Sequence, residues 1–141
     1  MDFGALGTAL VMGIAATGSA IGIGFAGQAA IGAWKKCYMV NKVAPFILTV
    51  FAGAPLTQTI YGFLLMQQMK SANADPAFLL GLGISAGVAM ALSAVAQGKA
   101  GASGADALAE TGKGFSQYIT VVGLCETVAL FAMAFSFGMC N

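Results

Sequence analysis

Charged side chains divide this sequence into four long intervals: residues 3–34, 43–69 and 76–98 carry none, and residues 114–141 carry Glu126 alone. Each interval exceeds the roughly 20 residues that cross a bilayer as helix. Main-chain groups in hydrocarbon must bond within their own segment, so runs of this kind are helices rather than strands. The expected fold is an all-α membrane protein, one membrane domain of four transmembrane helices. A first hairpin in residues 1–70 has helices at about 4–33 and 44–69, and a second in residues 71–141 has helices at about 76–105 and 113–139. Composition agrees: with 59% hydrophobic and 8% charged side chains, a water-soluble domain has too little polar surface to cover itself. The start at Met1-Asp2 lacks the basic region of a signal peptide, so the first apolar run is expected to stay as a helix.

All basic residues are lysines, and net charge is near zero, which argues against a nucleic-acid partner. Lys35, Lys36, Lys42, Lys99 and Lys113 fall on the first and third connections and only Lys70 on the second. Basic loops favour the cytoplasm, so both termini are expected outside a multi-pass plasma-membrane protein. Cys37, Cys125 and Cys140 have no paired spacing and no His beside them, and read as free thiols.

The segment Ser19-Ala-Ile-Gly-Ile-Gly-Phe-Ala-Gly27 is echoed by Ser93-Ala-Val-Ala-Gln-Gly-Lys-Ala-Gly101, and Leu56-Thr57-Gln58-Thr59 by Leu124-Cys125-Glu126-Thr127. Two duplicated helical hairpins are implied, with Gln58 standing where the second half has Glu126. Small residues recur every fourth position at Gly18, Gly22, Ala26 and Ala30, and again at Gly83, Gly87 and Ala91. Such stripes let membrane helices approach closely. One partner helix would hardly need two of them, so the expectation is a ring of copies around a common axis. Within the first stripe, Gly22-Ile23-Gly24-Phe25-Ala26-Gly27 matches a dinucleotide fingerprint, but no strand precedes it; packing is its expected role and no nucleotide is expected.

Glu126 lies thirteen residues past Lys113, near mid-bilayer at about 1.5 Å per residue. An ionised carboxylate there costs on the order of 3 kcal/mol, which makes function the default explanation. On the second helix Ala54, Thr57, Gln58 and Tyr61 share a face. Pro55 has no N–H to donate, which frees carbonyls between Phe51 and Ala54 for other partners. Gln97 is expected near the cytoplasmic end of the third helix. One carboxylate with two amides, a hydroxyl and a loosened carbonyl suits a monovalent cation that must replace its water ligands; a proton needs only the acid. Sodium is favoured over hydrogen ion, while mutual hydrogen bonding of buried polar groups is the bland alternative.

In Pro55-Leu-Thr-Gln-Thr-Ile-Tyr-Gly-Phe63, Ala96-Gln-Gly-Lys99 and Glu126-Thr127, the chain resembles the rotor-ring proteolipid (the K or c type) of V-type ATPases, most closely the bacterial sodium-translocating kind. The resemblance implies Na+ held by Glu126, Gln97, Gln58, Thr57 and the backbone carbonyl of Ala54, with Tyr61 hydrogen-bonding Glu126. Ala54 stands where Leu is expected and Leu56 where Gly is. It further implies a homo-oligomeric ring in lipid, and central-stalk subunits linking it to an ATP-hydrolysing sector. A static membrane subunit would supply the cationic side chain that this chain, without Arg, lacks. The chain by itself would not be an enzyme. A proton-translocating ring is the nearest alternative, and a four-helix multidrug antiporter a remoter one.

Overall fold

The computed structural model describes residues 2–140, and these form a bundle of helices with four membrane-length spans. Helix α1 covers Phe3–Met39 and α4 covers Pro76–Thr111. Between them the second span is jointed: α2 at Leu48–Gly53, a 3-10 turn at Ala54–Leu56, and α3 at Thr57–Ser71. The last span is α5, Phe115–Met139.

Local chemistry sets the ends. Asp2 caps α1 by accepting from Ala5 N at 3.0 Å, and Asp75 caps α4 by accepting from Ala77 N and Phe78 N at 2.9 and 3.1 Å, ahead of Pro76 in the first turn. Gly112, in the left-handed region at φ 67°, closes α4 by donating to Leu108 O at 2.8 Å. The indole of Trp34 donates to Pro45 O at 2.8 Å and ties the loop after α1 back to it.

Two helices run past their expected ends. Helix α1 continues through Lys35 and Lys36 to Met39, and α4 continues through Asp106 and Glu110 to Thr111. Charge ends a hydrocarbon crossing but does not end a helix, since Lys and Glu are good helix formers. With 37 and 36 residues, these two are about 55 Å long against roughly 30 Å of hydrocarbon. Lys36 bridges their projecting ends, 2.9 Å from Asp106 and 3.3 Å from Glu110. All three side chains are more than half exposed, so the bridge contributes little to stability. Lys99 is also not the loop residue that the lysine pattern suggested: it lies well inside α4, its ammonium 5.5 Å from the ring centre of Phe25. The third connection is only Gly112 to Gly114.

Helices α1 and α4 touch almost backbone to backbone. A Cβ added at Gly18 would lie 2.2 Å from Ala91 Cα, at Gly22 2.3 Å from Ala94 O, and at Gly83 2.1 Å from Gly7 O. Gly87 meets Val11 and Ile14, and Gly101 meets Ala26 and Phe51. The small residues of α1 and α4 therefore largely face one another within the chain. A small-residue stripe states that something comes close, and within the chain that neighbour is the other long helix. Ala30 belongs to a separate cluster with Ala33, Leu48, Phe51, Ala105 and Leu108 at one end of the bundle. Cys37, Cys125 and Cys140 are all free.

Gly22→Val and Gly83→Val should each destabilise the detergent-solubilised protein by about 1–3 kcal/mol through overpacking, read as a lower thermal midpoint. Gly13→Ala, where a Cβ meets nothing within the chain, should leave the isolated protein's midpoint unchanged.

Candidate functional site

The break at Pro55 places the site. Lacking an N–H, Pro55 gives Phe51 O no partner one turn back, and that oxygen instead lies against Gly101, 2.9 Å from where its Cβ would be. The chain tightens into the 3-10 turn, and Thr57 N donates to Ala54 O. Thr57 Oγ1 lies 3.1 Å from Ala54 O, to which it donates, and 3.3 Å from Gln58 Oε1. Three oxygens of different chemistry, a carbonyl, a hydroxyl and an amide, are thus gathered where the helix restarts.

Opposite stands Glu126, half-buried on α5. Its carboxylate accepts from the phenol of Tyr61, one turn beyond Thr57 on α3, and at 3.2 Å from Gln97 Nε2 on α4. Gln97 is fully buried and at the level of Glu126, not near a helix end. The reason is the continuation of α4 to Thr111, which leaves Gln97 well inside the helix. Gln58, equally buried, donates from Nε2 to Gln97 Oε1 at 2.7 Å. Three helices are thereby joined through side chains alone: α3 by Thr57, Gln58 and Tyr61, α4 by Gln97, and α5 by Glu126.

Each anticipated residue of the polar set, Ala54, Thr57, Gln58, Tyr61, Gln97 and Glu126, lies in this cluster. Two participants have no side-chain signature: the carbonyl of Val122 accepts from Gln97 Nε2 at 3.2 Å, and that of Cys125 accepts from Ser93 Oγ at 2.6 Å. Ser93 was visible in the sequence only as a repeat match to Ser19. Its place one turn before Gln97 on the same helix face is the signal that would have found it.

Chemically the cluster has one formal charge and an excess of neutral oxygens. A carboxylate in hydrocarbon is costly unless donors or a cation meet it. Tyr61 and Gln97 supply two donors, while Ala54 O, Thr57 Oγ1 and Gln58 Oε1 supply acceptor lone pairs on the α3 side. A monovalent cation placed against Glu126 would leave the site neutral.

Residues 80–139 match the sequence model of the ATP synthase C-subunit family. A curated relative, the K subunit of the A-type ATP synthase of Methanocaldococcus jannaschii, is 36% identical over 132 residues, covering 92% of this chain and 58% of its own length. The chain thus spans somewhat over half the length of the relative it matches.

Gln58→Met and Gln97→Met should each destabilise the folded protein, and the double variant should lose less than the sum. The coupling expected is about 0.5–2 kcal/mol, the range for interhelical hydrogen bonds in membranes. Thermal melts of the three variants in detergent measure it, and strict additivity would contradict the bond between the two amides.

Proposed function

We propose that this chain, a rotor proteolipid of the V/A-type ATPases, carries Na+ on Glu126 as one of a ring of identical copies turned by ATP hydrolysis in a separate soluble sector. The observation that carries the choice of ion is the number of oxygens: Ala54 O and Gln58 Oε1 stand 3.1 and 3.3 Å from Thr57 Oγ1, in the same polar cluster as the carboxylate. A proton needs one acid and one hydrogen-bond partner. A cation stripped of water needs several oxygens, and here they are present with a single negative charge to balance it.

In this reading the site works by neutrality. With Na+ against Glu126, the α5 face crosses lipid without an exposed charge; without it, an ionised carboxylate resists entry into hydrocarbon. Rotation is therefore permitted only to loaded sites. Tyr61 and Gln97 hold the carboxylate in place when the ion has left, by donating to its two oxygens. Release requires a competing cation from outside this chain, which has no Arg, and a static membrane subunit is the partner that would offer it. The chain is thus a transport component and not the ATP-hydrolysing enzyme; central-stalk subunits would couple it to that sector.

The setting proposed is a cell membrane with both termini outside. Lys35, Lys36, Lys42 and Lys113 cluster at the end bearing the first and third connections, against Lys70 at the other. Because Gln58 stands at the repeat position of Glu126, each four-helix copy carries one ion. Each ion moved against the membrane potential costs about 2.3 kcal/mol per 100 mV, so fewer ions per ring helix favour steep gradients.

Carbodiimide labelling of Glu126 in the assembled complex tests the ion. Millimolar Na+ should protect Glu126 at neutral pH, whereas K+ at the same concentration should not; labelling that ignores Na+ would leave the proton-carrying alternative. Glu126→Gln should abolish both labelling and Na+-stimulated ATP hydrolysis while the ring still assembles.

A further inference from the structure

The directions of the Gln97, Ser93 and Gln58 hydrogen bonds follow from two main-chain atoms that can only accept, the carbonyl oxygens of Val122 and Cys125 on α5. Val122 O draws the amide nitrogen of Gln97 toward α5 at 3.2 Å, where it also meets Glu126. Gln97 Oε1 is thereby turned to Gln58, whose Nε2 donates to it at 2.7 Å. Cys125 O takes the hydroxyl hydrogen of Ser93 at 2.6 Å. With that hydrogen committed, Ser93 Oγ is an acceptor, and it faces the second hydrogen of Gln58 Nε2 at 3.4 Å. Both N–H bonds of Gln58 now point away from Thr57, and Oε1 is the atom left beside Thr57 Oγ1.

An amide is nearly symmetric in shape, so nothing steric prevents Gln58 from presenting its NH2 where its oxygen stands. The two orientations differ in their bonds. Flipped, Gln58 would set its oxygen against Gln97 Oε1 and its NH2 toward the Thr57–Ala54 oxygens, a donor facing the place of a cation. Ser93, 4% exposed on α4, is the acceptor that stabilises the unflipped form from a second side. Its own hydrogen is held by the main chain of the residue immediately before Glu126, so the same bond also fixes where that carboxylate starts.

We infer that Ser93 is a positioning residue for cation selectivity: its hydroxyl, polarised by Cys125 O, holds the Gln58 amide with its oxygen toward the ion and its nitrogen away. Ser93 touches no ion and acts only through Gln58. The inference rests on the reading of the cluster as a Na+ site. It adds a division of labour in which Gln97 and Ser93 set orientation while Gln58 and Thr57 face the cargo.

The test is Na+ protection of Glu126 against carbodiimide in the intact complex, for the native protein and for Ser93→Ala, Ser93→Cys and Ser93→Thr. Loss of one buried acceptor should raise the Na+ concentration for half-protection roughly tenfold in Ser93→Ala. Ser93→Cys, whose thiol is a weak acceptor, should behave similarly, and it substitutes for the alanine variant should that ring fail to assemble. Ser93→Thr, which keeps the hydroxyl, should restore at least part of the affinity. Orientation of a neutral amide bears on a cation far more than on a proton, so the pH of half-labelling without Na+ should stay at the native value. Equal Na+ protection in native, alanine and cysteine forms would overturn the role of Ser93, and so would parallel shifts of Na+ and pH dependence, the mark of general loosening. Absence of protection in the native complex would instead overturn the sodium reading itself, leaving the two failures distinct.

Discussion

A carboxylate in hydrocarbon must be met by donors or by a cation, and the packing around Glu126 is organised by that requirement. No single helix can answer it. Tyr61 comes from α3 and Gln97 from α4, while Glu126 itself stands on α5. The amide that reaches the carboxylate is buried and needs partners of its own, which extends the cluster outward to Gln58, Ser93 and two main-chain oxygens. Each new polar atom is satisfied by the next until the chain of bonds ends on helix carbonyls, whose second lone pairs tolerate an extra donor.

The close approach of α1 and α4 makes this cluster possible. With Gly22 against Ala94 and Gly98, and Gly101 against Ala26 and Phe51, α4 lies deep enough between the outer spans for Gln97 to reach both Gln58 and Val122. Larger residues on that seam would push α4 away from α1 and alter the level at which its polar face meets α5. Packing by small residues and the geometry of the polar cluster are therefore one problem, because a single helix carries both.

The four spans were legible because absence of charge over bilayer length is a coarse and robust signal, and Glu126 was legible because it alone breaks that signal in the last span. The face carrying Ala54, Thr57, Gln58 and Tyr61 followed from helical spacing, and the disturbance at Pro55 from its missing N–H; that it takes the form of a 3-10 turn did not follow. Gln97 was placed too near a helix end because Lys99 was read as a boundary, whereas the helix carries it onward beside Phe25. The parts played by Val122 and Cys125 were invisible, since a carbonyl is common to every residue. The stripes indicated close contact, and within the chain that contact is between α1 and α4.

The jointed second span differs mechanically from the pair it leans on. Helices α1 and α4 are unbroken over 37 and 36 residues and meet with little side chain between them, so they behave as a stiff spar. The span from Leu48 to Ser71 lacks one helical bond at Pro55 and is compliant there. Oxygens set at that joint can adjust by fractions of an ångström around an arriving ion while torsional strain along the spar stays where it is, which separates the softness needed for exchange from the rigidity needed to transmit a turn.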